Sequence, residues 1–173
     1  MLAQGSYYLV VGSDDTLERD AVEAVSELAR TTAADVVAAA VRADGAIIQP
    51  RRRYAWARSG PPGVAAHSVG SLIRRSLHDE IGLYSTQYPI AADTFFLLQA
   101  LTRGKRFAYL DRVVGTFGTA GISSADTLGA LCDSWRANVA VRGGYWLQLP
   151  LFMLRLLVNG PRIARSVGKR PAQ

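Results

Sequence analysis

The sequence lacks several features that would assign a protein to a class at once. Its single cysteine, Cys132, excludes an internal disulfide, and without a cysteine cluster there is no sign of a zinc site. No apolar run reaches the roughly 18 residues that a membrane-spanning helix needs. The first 15 residues lack the basic segment and apolar stretch of a secretory signal. These absences favour a reducing, cytoplasmic compartment.

Acidic residues are also missing from one part of the chain. None follows Asp133, although seven basic residues do. The first 50 residues hold eight acids and three arginines, whereas the rest hold six acids and seventeen basic residues, which together give the net charge of +6. This separation predicts an anionic partner: phosphates, a nucleic acid or an anionic membrane surface. The 173 residues, 49% of them hydrophobic, are enough for one domain with a core.

The order of apolar segments predicts an α/β fold with a mixed sheet and flanking helices. The run at 7–11 is continuously apolar, which is typical of a strand buried on both faces of a parallel sheet. Pro150 argues against one long straight helix at the end of the chain. The other predicted elements are a helix at 17–30, strands at 35–41 and near Ile47, a strand at 68–74, a short helix at 76–81, a helix from Asp93 to Leu101, strands at 107–110 and 113–117, and helices at 126–141 and 146–164.

Two adjacent carboxylates, Asp14 and Asp15, directly follow the first predicted strand. Ligands of open α/β sheets bind beyond the carboxyl ends of strands. Paired carboxylates at such a point suit a hard divalent cation, which prefers oxygen ligands and bridges to substrate phosphates. The alternative is that Asp15 or Thr16 caps the following helix. Spacing alone leaves both interpretations open.

Asp93 is a second candidate because it begins a strongly apolar helix. An acid in this place is either an N-cap or a general base at the rim of a cleft. His67 is a candidate for binding metal or substrate, although a lone histidine is more often structural. His78, beside two acids, is predicted to be a solvated surface residue, and Cys132 is predicted to lie in the core.

The stretch 51–63 is the least regular part of the chain. It combines three consecutive arginines with Tyr54 and Trp56, followed by glycine and proline residues. Basic residues interleaved with aromatic ones occur in nucleic-acid-binding segments, but a run this short is more often a solvated loop. A basic nucleic-acid-binding module therefore stays a minor alternative, and we expect no nucleic acid partner.

Several short motifs, taken in order, resemble family 2 glycosyltransferases of the GT-A fold. The sequence is most similar to the branch that includes colanic-acid-type enzymes and mycobacterial phenolic-glycolipid sugar transferases. The resemblance covers about residues 5 to 125, and it implies a nucleotide-sugar transferase. The motifs that carry it are the loop at 12–17, His67 before 71–75, the segment 81–84, the segment 88–93 and the loop at 121–123.

The resemblance implies a role for each matching residue. Ser13, Asp14 and Asp15 match the family's Asp-x-Asp motif, so Asp15 is expected to bind Mg²⁺ or Mn²⁺ on the donor diphosphate, with Asp14 as a supporting or ribose contact. Asp93 matches the catalytic base of an inverting displacement by an acceptor hydroxyl. Ser13 and the remaining matches are expected to contact substrate: His67, Gly121 and Ser123.

The sequence also departs from the family pattern. Ser13 replaces the first acid of the Asp-x-Asp motif, Ser68 replaces a usual glutamine, and Phe95 replaces a second acid found in many relatives. Family members carry about 80 to 100 further residues upstream, which grip the base and ribose of the donor. The resemblance therefore predicts a partial GT-A domain at 1–125, followed by a basic helical tail at 126–173. A non-catalytic remnant, or a subunit that depends on a partner, is the alternative to an enzyme.

The apolar and basic tail suggests where the acceptor is found. The segment 145–170 combines apolar residues with Arg155, Arg162 and Arg165, a composition that suits an anionic membrane surface. The expected acceptor is then a lipid-linked or cell-envelope glycan at the inner face of the membrane. The alternative is a helix that packs on the domain and ends in a frayed basic segment.

Overall fold

The computed structural model describes residues 4–52, 68–118, 121 and 125–167. These residues form six strands, five α-helices and one 3₁₀ turn. In chain order they are β1 (Tyr7–Leu9), β2 (Thr16–Leu17), α1 (Ala21–Thr32), β3 (Val36–Ala43), β4 (Ala46–Ile48), the 3₁₀ turn (Ser68–Gly70), β5 (Ser71–Arg74), α2 (Leu77–Ile81), α3 (Ala92–Thr102), β6 (Phe107–Thr116), α4 (Thr127–Arg142) and α5 (Tyr145–Val167).

All six strands belong to one mixed sheet. Five of them follow the order β1-β5-β3-β6-β2, and β4 lies outside this order and pairs with the last three residues of β3. Only the β3–β6 pair is parallel, while the other pairs are antiparallel. The predicted mixed sheet with flanking helices is confirmed. Because β2 pairs with the last residues of β6, the loop between β1 and β2 lies beside the end of β6.

The central strand β3 divides the core into two layers. Residues 36–41 are all fully buried, and alternate side chains point to opposite faces of the sheet. One face packs against α1 through Val37, Ala39 and Val41. The other face packs against α2 and α3, where Val36 belongs to a cluster with Ile73, Leu77, Phe96, Leu97 and Ala100.

The helix α4 supports the segment that leads into α3. The buried Asp133 of α4 accepts a hydrogen bond from the backbone N–H of Ile90 at 3.2 Å. Ala137 packs with Tyr88, Ala91 and Phe95, and the Arg136 guanidinium lies 5.3 Å from the centre of the Tyr88 ring. The predicted domain boundary between residues 125 and 126 stays a prediction. The helix α4, which follows it, contacts residues 88–95 of the preceding part.

Two predictions about the start of the chain are wrong. The segment at 7–11 forms only a three-residue antiparallel strand that is half-buried at the edge of the sheet. The first helix begins at Ala21 rather than at 17, because Thr16 and Leu17 pair with β6. Its N-cap position is held by Asp20, so neither Asp15 nor Thr16 caps it.

Two further differences concern β6 and α5. The strands predicted at 107–110 and 113–117 form one strand, in which the pairing with β3 jumps from Leu110 to Val113. The exposed Asp111 and Arg112 bulge out at that jump and form ion pairs with Arg52 and Asp20. The last helix is one long element that continues through Pro150 and Pro161, although Pro150 argued against one long straight helix.

Candidate active site

A cavity of about 290 Å³ opens between the end of β1, β5 and the start of α3. Its wall is mostly apolar, and its polar side chains are Asp93, Tyr84, Ser68 and Ser71. An apolar pocket with a few converging polar groups is the usual form of a small-molecule site. The remaining wall residues are Val10, Ile73, Pro89, Ile90, Ala92 and Leu97.

Asp93 lies in the first turn of α3 and faces this cavity. The N-cap position belongs to Ala91, so Asp93 is not the N-cap, although its Oδ1 accepts the backbone N–H of Thr94 at 2.6 Å. Burial raises the pKa of the Asp93 carboxyl, and the hydrogen bonds from Thr94 partly oppose that change. A carboxylate with a raised pKa is a stronger proton acceptor once ionised, which suits a general base.

The loop after β1 holds Asp15 in a fixed position. The backbone N–H of Gly12 donates to its Oδ2 at 2.7 Å, and that of Gly118 donates to its Oδ1 at 2.9 Å. The Asp15 carboxylate therefore ties this loop to the residues after β6. Gly118 lies so close to Asp14 that a Cβ atom on it would overlap the Asp14 carboxylate.

The two carboxylates fit the chemistry of a divalent cation. Each oxygen of Asp15 accepts one backbone N–H and keeps a further lone pair for another partner. Asp14 is exposed beside it. Among the described residues no group of three or more metal-ligating side chains occurs, so a cation here needs additional ligands from water or substrate phosphates, as Mg²⁺ commonly does.

The remaining sequence-predicted site residues are less informative. Ser13 is exposed in the same loop as Asp14. Gly121 is half-buried, its carbonyl accepts the Ala125 N–H at 3.2 Å, and it does not line the cavity. His67 and Ser123 lie outside the described residues, although Ser68, the neighbour of His67, is part of the cavity wall.

The structure adds residues that the sequence analysis missed. Tyr84 and Ser71 line the cavity; both lie in segments that carry the family resemblance, but the sequence analysis assigned neither of them a role. His78 was predicted to be solvated, but this is wrong: only 8% of it is exposed, and it bonds to Tyr8. Cys132 is half-buried rather than in the core.

The arginine-rich segment is described only at its start. Arg52 forms an ion pair with Asp111 and lies 5.7 Å from the centre of the Tyr109 ring. Residues 53–67, which include the aromatic residues of the nucleic-acid alternative, lie outside the described residues.

The mixed α/β fold of this chain matches solved structures that cover most of it, which confirms the predicted fold class. The chain is similar to solved structures of TarS 1–349 from S. aureus. One of them, in complex with UDP-GlcNAc, superimposes with a TM-score of 0.52 at 12% identity and is matched over 96% of this chain and 57% of its own. Another, in complex with UDP, gives 0.55 at 14% identity over 90% and 48%.

A third TarS structure gives a TM-score of 0.54 at 12% identity, over 96% of this chain and 56% of its own. This chain thus spans about half the length of the solved structures that it matches. No protein-family model and no curated protein sequence matches it. The likeness shows the fold, whereas family 2 and the branch within it stay predictions.

Proposed function

We propose that the chain carries the acceptor side and the diphosphate side of a family 2 glycosyltransferase. The observation that carries this proposal is the cavity, where Asp93 projects from the first turn of α3 into an apolar pocket. It is supported by the fold shared with TarS, whose solved structures contain UDP-GlcNAc and UDP. Asp93 takes the proton of an acceptor hydroxyl, and that oxygen attacks the anomeric carbon in one inverting displacement.

The donor diphosphate belongs at the loop after β1. Val10 is part of the cavity wall, and Asp14 and Asp15 follow it by a few residues, so the acidic loop lies at the same end of β1 as the cavity. Asp15, with Asp14 beside it, would hold Mg²⁺ or Mn²⁺, and a bound cation neutralises charge on a leaving diphosphate. Gly12 and Gly118 keep the Asp15 carboxylate in place through their N–H groups.

A binding and turnover assay tests this proposal. The full chain is titrated calorimetrically with a panel of nucleotide sugars with Mn²⁺ and with EDTA, and release of nucleoside diphosphate is followed in the presence of glycoside acceptors. We expect binding that needs Mn²⁺ and release that needs an acceptor. Binding without any release would favour the alternative of a non-catalytic remnant or a partner-dependent subunit. The absence of both would contradict the proposal.

We also propose that the acceptor side faces an anionic membrane surface on the cytoplasmic side, and that no nucleic acid is bound. The observation that favours this is an exposed apolar face on α5, where Trp146 is 84%, Leu157 76% and Val158 71% exposed. Trp146, Met153 and Leu157 follow the helical repeat, so they share one side of the helix.

The sequence from 134 onward holds basic residues and no acid. Among the described residues, no helix is long and apolar enough to cross a membrane.

Vesicle binding should depend on this face of α5. Replacing Leu157 by serine is expected to weaken co-sedimentation with phosphatidylglycerol-containing vesicles about threefold to tenfold. The reason is that a leucine inserted into the membrane interface contributes a transfer free energy that serine does not. Leu83→Ser is the matched control, since Leu83 is also 76% exposed but lies outside α5. Equal binding of both variants and the unmodified chain, or equal binding to neutral vesicles, would contradict the membrane contact.

A further inference from the structure

Three hydrogen-bonding side chains form a connected group behind the cavity. The Tyr8 hydroxyl lies 2.7 Å from His78 Nε2 and 2.8 Å from the Tyr84 hydroxyl, and His78 Nδ1 lies 2.9 Å from the Gly82 carbonyl oxygen. These residues come from β1, α2 and the segment between α2 and α3. The mechanism proposed above assigns no role to any of them.

Aromatic packing fixes the orientation of the His78 ring. Its centre lies 4.5 Å from that of Phe96, 5.3 Å from that of Tyr84 and 5.5 Å from that of Tyr8. Only 8% of His78 is exposed, and Phe96 is fully buried. The two nitrogens of His78 are therefore held toward two different partners, Gly82 on one side and Tyr8 on the other.

The direction of each hydrogen bond follows from the Gly82 carbonyl. A carbonyl oxygen only accepts, so Nδ1 of His78 must carry a hydrogen. In the neutral imidazole Nε2 then carries none, and Tyr8 donates its single hydroxyl hydrogen to it. The Tyr8 oxygen in turn accepts from Tyr84. The hydroxyl hydrogen of Tyr84 is thereby turned toward Tyr8, and only lone pairs of its oxygen stay available for another partner.

Tyr84 also belongs to the cavity wall, together with Asp93. Burial raises the pKa of the Tyr84 hydroxyl; the hydrogen bond with Tyr8 partly opposes this change, and the nearby Asp93 carboxylate adds to it, so Tyr84 stays protonated beside Asp93. The cavity then presents two acceptor groups, the Asp93 carboxylate and the Tyr84 oxygen, beside the hydroxyls of Ser68 and Ser71, which can donate or accept. A ligand that satisfies both must donate two hydrogen bonds.

We propose that Tyr84 accepts a hydrogen bond from a substrate hydroxyl, and that Tyr8 and His78 are positioning residues that turn its own hydrogen away from the cavity. This inference rests on the proposed function, and it names the ligand class that the cavity selects: an uncharged, hydroxyl-rich molecule such as a glycoside. A carboxylate or phosphate placed against Asp93 and Tyr84 would meet two acceptors, so this side of the cavity disfavours an anion.

The hydrogen-bond direction can be measured without any turnover. In the full chain labelled with ¹⁵N-histidine, we expect His78 to be protonated at Nδ1 and to accept at Nε2. Tyr8→Phe should shift the Nε2 resonance, because that nitrogen loses its donor. Tyr7→Phe is the matched control: Tyr7 is the neighbour of Tyr8 on β1, but its hydroxyl donates to the Ala34 carbonyl and it packs in the α1 layer. A His78 ring protonated at Nε2 instead would overturn the inference.

Ligand binding tests the contact itself. Titration with a panel of uncharged methyl glycosides should give binding that Tyr84→Phe weakens about tenfold and Tyr8→Phe about threefold, as expected for one lost and one misdirected hydrogen bond. Tyr7→Phe should bind like the unmodified chain. Wild-type affinity in Tyr84→Phe, or no glycoside binding by the unmodified chain, would overturn the inference.

The two proposals fail in different ways. Sugar transfer that is unaffected by Tyr84→Phe would leave the proposed function standing and overturn the role of Tyr84. Glycoside binding that depends on Tyr84, in a chain that transfers no sugar, would support the role of Tyr84 and contradict the catalytic proposal.

Discussion

Replacing Asp93 by asparagine is expected to reduce sugar transfer by about 10²–10⁴-fold, the usual contribution of a general base. Asparagine keeps the shape of the side chain but cannot take a proton from the acceptor hydroxyl. The affinity for nucleotide sugar should stay within about twofold, because the proposed diphosphate site uses other residues. Initial rates and calorimetric affinities of the two proteins separate these effects.

Asp93→Asn should also change stability in a way that depends on pH. Burial raises the Asp93 pKa in the folded chain, so the folded state keeps a proton that the unfolded chain releases. The carboxyl therefore costs stability as the pH rises above the ordinary aspartate pKa. We expect Asp93→Asn to raise the melting temperature near neutral pH and to change it little at about pH 3, where both states are protonated.

A matched control separates these effects from a general effect of charge. Asp79→Asn makes the same chemical change at an exposed position of α2 that does not line the cavity. It should leave transfer unchanged and should not reproduce the pH-dependent gain in stability. Wild-type turnover in Asp93→Asn would contradict the base assignment, and an equal melting temperature at neutral pH would contradict the cost of burying this carboxylate.

The second large effect is expected at Asp15. Asp15→Ala leaves the N–H groups of Gly12 and Gly118 without their acceptor, and it removes a candidate cation ligand. We expect the Mn²⁺-dependent affinity for nucleotide sugar to fall at least about tenfold, together with a loss of about 1 kcal/mol in the free energy of unfolding. Titrations with Mn²⁺ and with EDTA, beside thermal unfolding, measure both.

The ratio of the two affinities distinguishes the roles of Asp15. If the carboxylate binds the cation, Asp15→Ala removes the advantage that Mn²⁺ gives to binding. If it only holds the loop, affinity falls by the same factor with Mn²⁺ and with EDTA, which would contradict the ligand assignment. Asp79→Ala, an exposed acid on α2, should leave both affinities unchanged.

The sequence was most informative where a local pattern decides the structure. The apolar residues of β3 predicted a strand, and the glycine and two aspartates after β1 marked the loop that lies beside the end of β6. Asp93 could be placed at the start of α3 because a long apolar run follows it. Each of these signals lies within about ten consecutive residues.

Predictions from the sequence were wrong or missing where contacts between distant segments determine the structure. His78 has two acids as neighbours, yet burial depends on which side of the short helix α2 meets α3, and that side carries Leu77 and His78. One of the two hydrogen-bond donors to Asp15 is Gly118, which lies 103 positions away. Two strands were predicted on either side of Asp111 and Arg112, but these residues form a bulge within one strand, where they pair with the distant Arg52 and Asp20.

The hydrogen bond between Asp133 and the Ile90 amide makes part of the cavity wall depend on α4, an element far along the chain. Ile90 is part of the cavity wall, while its amide proton is held by α4. In a hydrogen-exchange experiment, protection of this amide therefore requires that α4 stay docked, and it is lost whenever α4 opens locally. One backbone proton thus reports whether α4 is docked on the segment that leads into Asp93.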